Sequence, residues 1–155
     1  MLDAFRLFLF LHVLGAIVAF GFGFAAPVIG KMAAAQLQHA PFFIRAVKRV
    51  SETVIIPAAL SMAVTGILLI ATGSRSPQEA WLALSIVIYV VALGLVFLVQ
   101  RPLFLELIEL TSSPPGPGGP NPRIPLLARR LRNLGLVLTG LVTVIVFLMT
   151  VKPAI

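Results

Sequence analysis

The chain has no cysteine among its 155 residues, which excludes disulfides, thiolate metal sites and thiol chemistry. Charge is nearly as scarce. Asp, Glu, Lys and Arg together make up 11% of the residues, and five of them are acidic. None of those five lies inside a long apolar run, so the acid or charge pair typical of an ion pathway is missing. A carboxylate pair or a nucleophile–base–orienter set, the marks of an independent enzyme, is missing as well. So is the short apolar–polar alternation of a barrel strand.

What the chain does have is apolar length. It is 59% hydrophobic, its mean hydropathy is +1.08, and a soluble domain would need more charged surface. The charges mark four gaps: 24 uncharged residues between Arg6 and Lys31, 22 between Glu52 and Arg75, 21 between Glu79 and Arg101, and 19 between Arg132 and Lys152. About 20 apolar residues cross a bilayer core as a helix. The expectation is therefore an all-α, integral membrane four-helix bundle forming one transmembrane domain over 1–155, with helices near 5–27, 50–72, 80–110 and 126–151. The first run reads as a span and not as a cleaved signal, because Asp3 stands where a cationic n-region would be and the run is too long for an h-region.

Of the twelve basic residues, nine fall in the first and third connections (Lys31, Arg45, Lys48, Arg49, Arg101, Arg123, Arg129, Arg130 and Arg132). Positive-inside places those connections in the cytoplasm, with both termini outside, in a bacterial inner membrane. The same charges account for the net +7 through topology and anionic headgroups, and no aromatic–basic interleaving points to nucleic acid. The stretch "TSSPPGPGGPNPR", within 111–123, reads as a flexible linker. "FFIRAVKRV" reads as an amphipathic extension of the second helix lying against headgroups. Pro102, beside Arg101, marks a tolerated kink or break. Trp81 reads as an interfacial anchor.

Small residues recur every four positions on three helices: Gly15, Ala19 and Gly23; Ala58, Met62 and Gly66; Gly135, Thr139 and Thr143. Such stripes let membrane helices approach closely. His12 begins the first stripe and should point into the bundle. At 1.5 Å per residue, His12, Thr65, Tyr89 and Thr143 all fall roughly 10–12 Å below the outer surface, with Met62 slightly deeper. A polar layer of His12, Thr65, Tyr89 and Thr143 is the candidate site. In one reading His12 is a neutral, hydrogen-bonded structural residue. In the other it is an axial ligand to a haem, with Met62 as a weak sixth ligand and Tyr89 nearby. His39 lies some 20 Å or more away by helix rise and cannot share that ligation.

"LHVLGAIVAFGFGFAAP", a basic loop, "IIPAALSMAVTGILL" and a tryptophan opening the third helix resemble an uncharacterised bacterial family of predicted integral membrane proteins. That family is similar to the copper-resistance D membrane domain and, more distantly, to HemJ-type protoporphyrinogen oxidases. The resemblance covers roughly Phe5 to Glu109 and implies a four- or five-helix bundle with a histidine early in helix one. In the HemJ-type relatives it implies haem b, at the position matching His12; their further histidines and lysine have no clear counterpart here.

Three functions follow as expectations. The first is a non-enzymatic structural or accessory subunit of a membrane assembly. The second is a haem b-binding electron-transfer or porphyrin-handling protein. The third is a copper-resistance-type transport component. Four short helices bury limited surface, so a homodimer or larger complex within the lipid bilayer is expected.

Overall fold

The computed structural model describes residues 3–35, 39–73, 79–113, 119 and 121–153. Four helices are long and apolar enough to cross a membrane, and no strand is found among the described residues. They are α1 (Ala4–Ala35), α2 (Ala40–Thr72), α3 (Ala80–Ser112) and α4 (Arg123–Val151). The protein is an all-α integral membrane four-helix bundle. Every helix runs past the limits expected from its apolar core. At 33 residues, α2 and α3 are each about 50 Å long, against a hydrocarbon core of about 30 Å. The excess lies at the end that carries the basic residues. Glu52, Arg101 and Arg132 each stand 20 residues, or about 30 Å, from the opposite boundary at Thr72, Trp81 and Lys152.

Neither α2 nor α3 breaks at its proline. Instead each passes through one π turn, at Ser51–Ile55 and Val96–Gln100. The backbone N–H of Ile56 reaches back five residues to Ser51, and that of Arg101 to Val96. In both helices the next residue is a proline, Pro57 or Pro102. A proline has no N–H and its ring strikes the carbonyl four residues earlier. Widening the preceding turn moves that carbonyl away, so both helices continue, and at Pro102 the expected kink or break is not a break. The two π turns lie side by side. Between them Glu52 pairs with Lys48 at 2.7 Å and with Arg101 at 3.6 Å, over a crevice of about 10 Å³.

The amphipathic start of α2 is a continuous extension of the second helix. It packs against α1 and the end of α3, where the Arg45 guanidinium donates to Ser112 Oγ at 2.6 Å. The linker is shorter than 111–123, because α3 ends at Ser112 and α4 begins at Arg123; residues 114–118 and 120 lie outside the described residues.

The closest packing joins α1 to α2 and α3 to α4. On the first pair, Ala19, Ala59 and Met62 are buried together. Gly15 is required there: a Cβ would meet Met62 Cγ at 2.9 Å and Ser61 Oγ at 3.4 Å. On the second pair, at the end opposite the basic residues, Trp81, Leu82 and Leu148 form a core, with Ile70 of α2 against it. Trp81 is thus a buried residue as well as a boundary marker. Its indole N–H donates to Glu79 Oε2 at 2.7 Å, and Lys152 Nζ stands 5.8 Å from its ring centre. Farther along α1, the stripe changes partner: a Cβ on Gly23 would lie 3.3 Å from Thr139 Oγ1 of α4.

Candidate functional site

His12 is half-buried between α1 and α2, and its Nδ1 lies 3.1 Å from both the Met62 carbonyl oxygen and Thr65 Oγ1. Both contacts bear on its tautomer. A carbonyl can only accept. The Thr65 hydroxyl already donates its one proton within α2, to the Ser61 carbonyl at 2.9 Å or the Met62 carbonyl at 3.2 Å. It too accepts from His12. Nδ1 therefore carries the hydrogen, and in the neutral ring Nε2 keeps the lone pair. Gly66 lies against the imidazole, where a Cβ would sit in van der Waals contact, 3.4 Å from His12 Cε1.

The other members of the expected layer go elsewhere. Tyr89 Oη donates to the Ala59 carbonyl of α2, not to His12. The Met62 side chain is spent on packing against Gly15, and its backbone carbonyl is the part that meets His12. Thr143 is a correction: it is exposed, and its hydroxyl donates to the Thr139 carbonyl at 2.8 Å. The reason is helical register. α4 is anchored through buried Ile145 and Leu148, and a residue two positions before Ile145 is rotated about 200° from it. Thr139 is the hydroxyl of α4 that faces inward, near Gly23.

A second feature was not foreseen from the sequence. All four helices line a cavity of about 950 Å³, reaching from Ala59, Tyr89 and Ile145 toward the basic end. That volume is at the upper end of the roughly 300–1,000 Å³ usual for small-molecule sites. Its wall includes Phe24 and Leu136, which are 66% and 55% exposed, so the cavity is continuous with the lipid-facing surface. Most of the lining is apolar. Lys31, Arg129 and Arg132 supply the charge, and Gln100, Tyr89 and Thr139 are among the polar groups. The cavity is framed by pairwise contacts: α1 against α2 and α4, and the basic-end half of α3 against the start of α2 and α4. His12, Met62 and Thr65 do not line it; of the expected site residues, Tyr89 alone does. The clue available in sequence was the set of glycines facing this space, Gly23, Gly30 and Gly135, together with the basic residues that topology had already explained.

Chemically, this is a place to hold an apolar or amphipathic guest. Among the described residues, no three of His, Asp and Glu come together as a metal-binding group. Fold and cavity together define a multi-pass α-helical membrane protein with a ligand-sized internal space. The chain belongs to the family of predicted integral membrane proteins DUF2269, whose signature matches residues 6–153. No curated protein and no solved structure matches it.

Proposed function

We propose that this protein is a non-enzymatic, accessory component of a bacterial inner membrane that acts by binding in its inter-helix cavity, with both termini outside. The observation that carries this reading is the cavity itself. Protein interiors are close-packed, and an apolar space of about 950 Å³ open to the bilayer calls for an occupant. Its polar groups are few and dispersed, which suits holding a guest more than transforming one. The test is native mass spectrometry of the full chain extracted in mild detergent. A mass above the 16.6 kDa of the chain, from a bound small molecule or a partner subunit, is the expected result. A bare chain under conditions that preserve other membrane complexes counts against it.

One observation keeps haem b at His12 as the second reading. The Nδ1–H bond to the Met62 carbonyl leaves Nε2 as the available donor atom, the arrangement that orients many metal-bound histidines. The surrounding residues fit a haem poorly. The space large enough for a porphyrin is not lined by His12 or Met62, and the Met62 side chain is packed against α1. A reduced-minus-oxidised absorption spectrum decides the matter. The accessory reading expects no Soret band, and a band lost in His12→Leu with folding retained would replace it. A copper-handling role of the copper-resistance D type finds no support in the donor set, since among the described residues no three of His, Asp and Glu come together.

A further inference from the structure

The geometry points to an acidic phospholipid as the occupant of the cavity, with its phosphate held by Lys31, Arg129 and Arg132 and an acyl chain running inward toward Tyr89. This names the ligand class of the cavity reading above and rests on it.

Three observations converge. The first is position. Arg132 lies about 30 Å from the opposite boundary and Arg129 one turn beyond, at the level where headgroups begin. Lys31 approaches the same level from α1. All three line the cavity and are exposed. The second is charge. The basic end holds nine Lys and Arg against three carboxylates, Glu52, Glu106 and Glu109. Two of these carboxylates are already engaged, Glu52 by Lys48 and Arg101 and Glu106 by Arg123 at 2.8 Å. Among the described residues, no carboxylate pairs with Lys31, Arg129 or Arg132, so three cations line one space with their counter-charge still to be supplied. Basic pockets between membrane helices at the headgroup level are suited to anionic lipids. The third is shape. From Arg132 to Ile145 the α4 wall runs about 20 Å, roughly one leaflet's depth. That wall is lined by apolar side chains and is reached from the bilayer past Phe24 and Leu136. A soluble phosphate would leave this apolar length empty, and an uncharged lipid would leave the three cations unmatched.

The test compares lipids of equal chain length. The full chain is placed in nanodiscs of phosphatidylcholine with phosphatidylglycerol as the minority component, transferred to detergent, and its retained lipid is measured by native mass spectrometry. Wild type is expected to retain phosphatidylglycerol selectively. The variant K31Q/R129Q/R132Q should lose that preference by about tenfold or more. The variant R45Q/R49Q/R130Q removes the same charge from the same end but outside the cavity wall, and it should keep it. Gly135→Phe tests the apolar half: Gly135 lines the cavity and a Cβ there meets nothing within 4 Å, so the added side chain starts in open space. It should reduce retention of both lipids while helicity and monodispersity stay at wild-type values. Equal retention of phosphatidylcholine by wild type would overturn the headgroup assignment while leaving the cavity reading intact. An equal loss in both charge variants would show that diffuse surface attraction, not this site, selects the lipid. Retention of no lipid by wild type, with a protein partner bound instead, would overturn the lipid and keep the accessory role. A bare chain would overturn both.

Discussion

A hydrogen bond to a backbone carbonyl makes His12 less demanding than its setting suggests. Its imidazole N–H would cost several kcal/mol if left unpaired in hydrocarbon, and it is satisfied by α2 alone. The reverse dependence is weak, because Thr65 and the Met62 carbonyl also bond within their own helix. Replacing His12 by leucine should therefore cost about 0.6–2 kcal/mol, the usual value of an inter-helix hydrogen bond in a membrane. Reversible unfolding in mixed micelles measures it. Thr65→Val keeps the shape and leaves the Met62 carbonyl as acceptor, so it should cost less than His12→Leu. A larger cost for Thr65→Val would mean that the hydroxyl, and not the carbonyl, holds the ring.

Between helices the decisive quantity is how close two backbones come. The α1–α2 pair depends on Gly15, where any Cβ meets Met62 Cγ, the middle of a side chain buried on its other sides. Gly15→Val should destabilise the bundle by about 1–3 kcal/mol, the usual cost of overpacking. Gly140→Ala should be neutral or mildly stabilising, since nothing lies within 4 Å of the added Cβ. Stability of both variants in the same micelles checks the pair, and similar values would show that α1 and α2 are not in close contact. The paired π turns make a further expectation. Pro102→Ala restores the missing N–H, so α3 can return to four-residue bonding and turn Arg101 relative to Glu52. The Glu52–Arg101 contact is exposed, and its loss alone should change stability by less than about 1 kcal/mol. A double-mutant cycle between Glu52→Gln and Arg101→Gln isolates that term.

At the scale of the whole molecule, each of the four helices carries basic residues at the same end, where nine of the twelve lie. On the proposed topology, which rests on the nine-to-three division of basic residues, that end is cytoplasmic. In this cysteine-free chain, Asp3→Cys should react with an impermeant thiol reagent added to cells with a permeable outer barrier, and Ser113→Cys should react only after the inner membrane is opened. Labelling of Ser113→Cys alone in intact inner membranes would invert the topology. The same end would then face the opposite leaflet, and the lipid supply to Lys31, Arg129 and Arg132 would change with it.

The sequence by itself determined the number of spans and the class of fold. The reason is that the penalty for a charge in hydrocarbon acts on each residue separately and can be read one position at a time. It also pointed to the small-residue stripes, because a helix repeats its faces every three to four residues. Depth, however, is not direction. Thr143 lies at the expected level but is turned from the interior by the register that Ile145 and Leu148 impose on α4. His12 meets a carbonyl, and carbonyls are common to every residue, so no sequence pattern marks that partner. The cavity is less legible still. It belongs to no residue or helix, and is the space framed where α1 meets α2 and α4 and the basic-end half of α3 meets the start of α2 and α4. A space left between four helices is a property of their relative placement, and only the tertiary structure decides that.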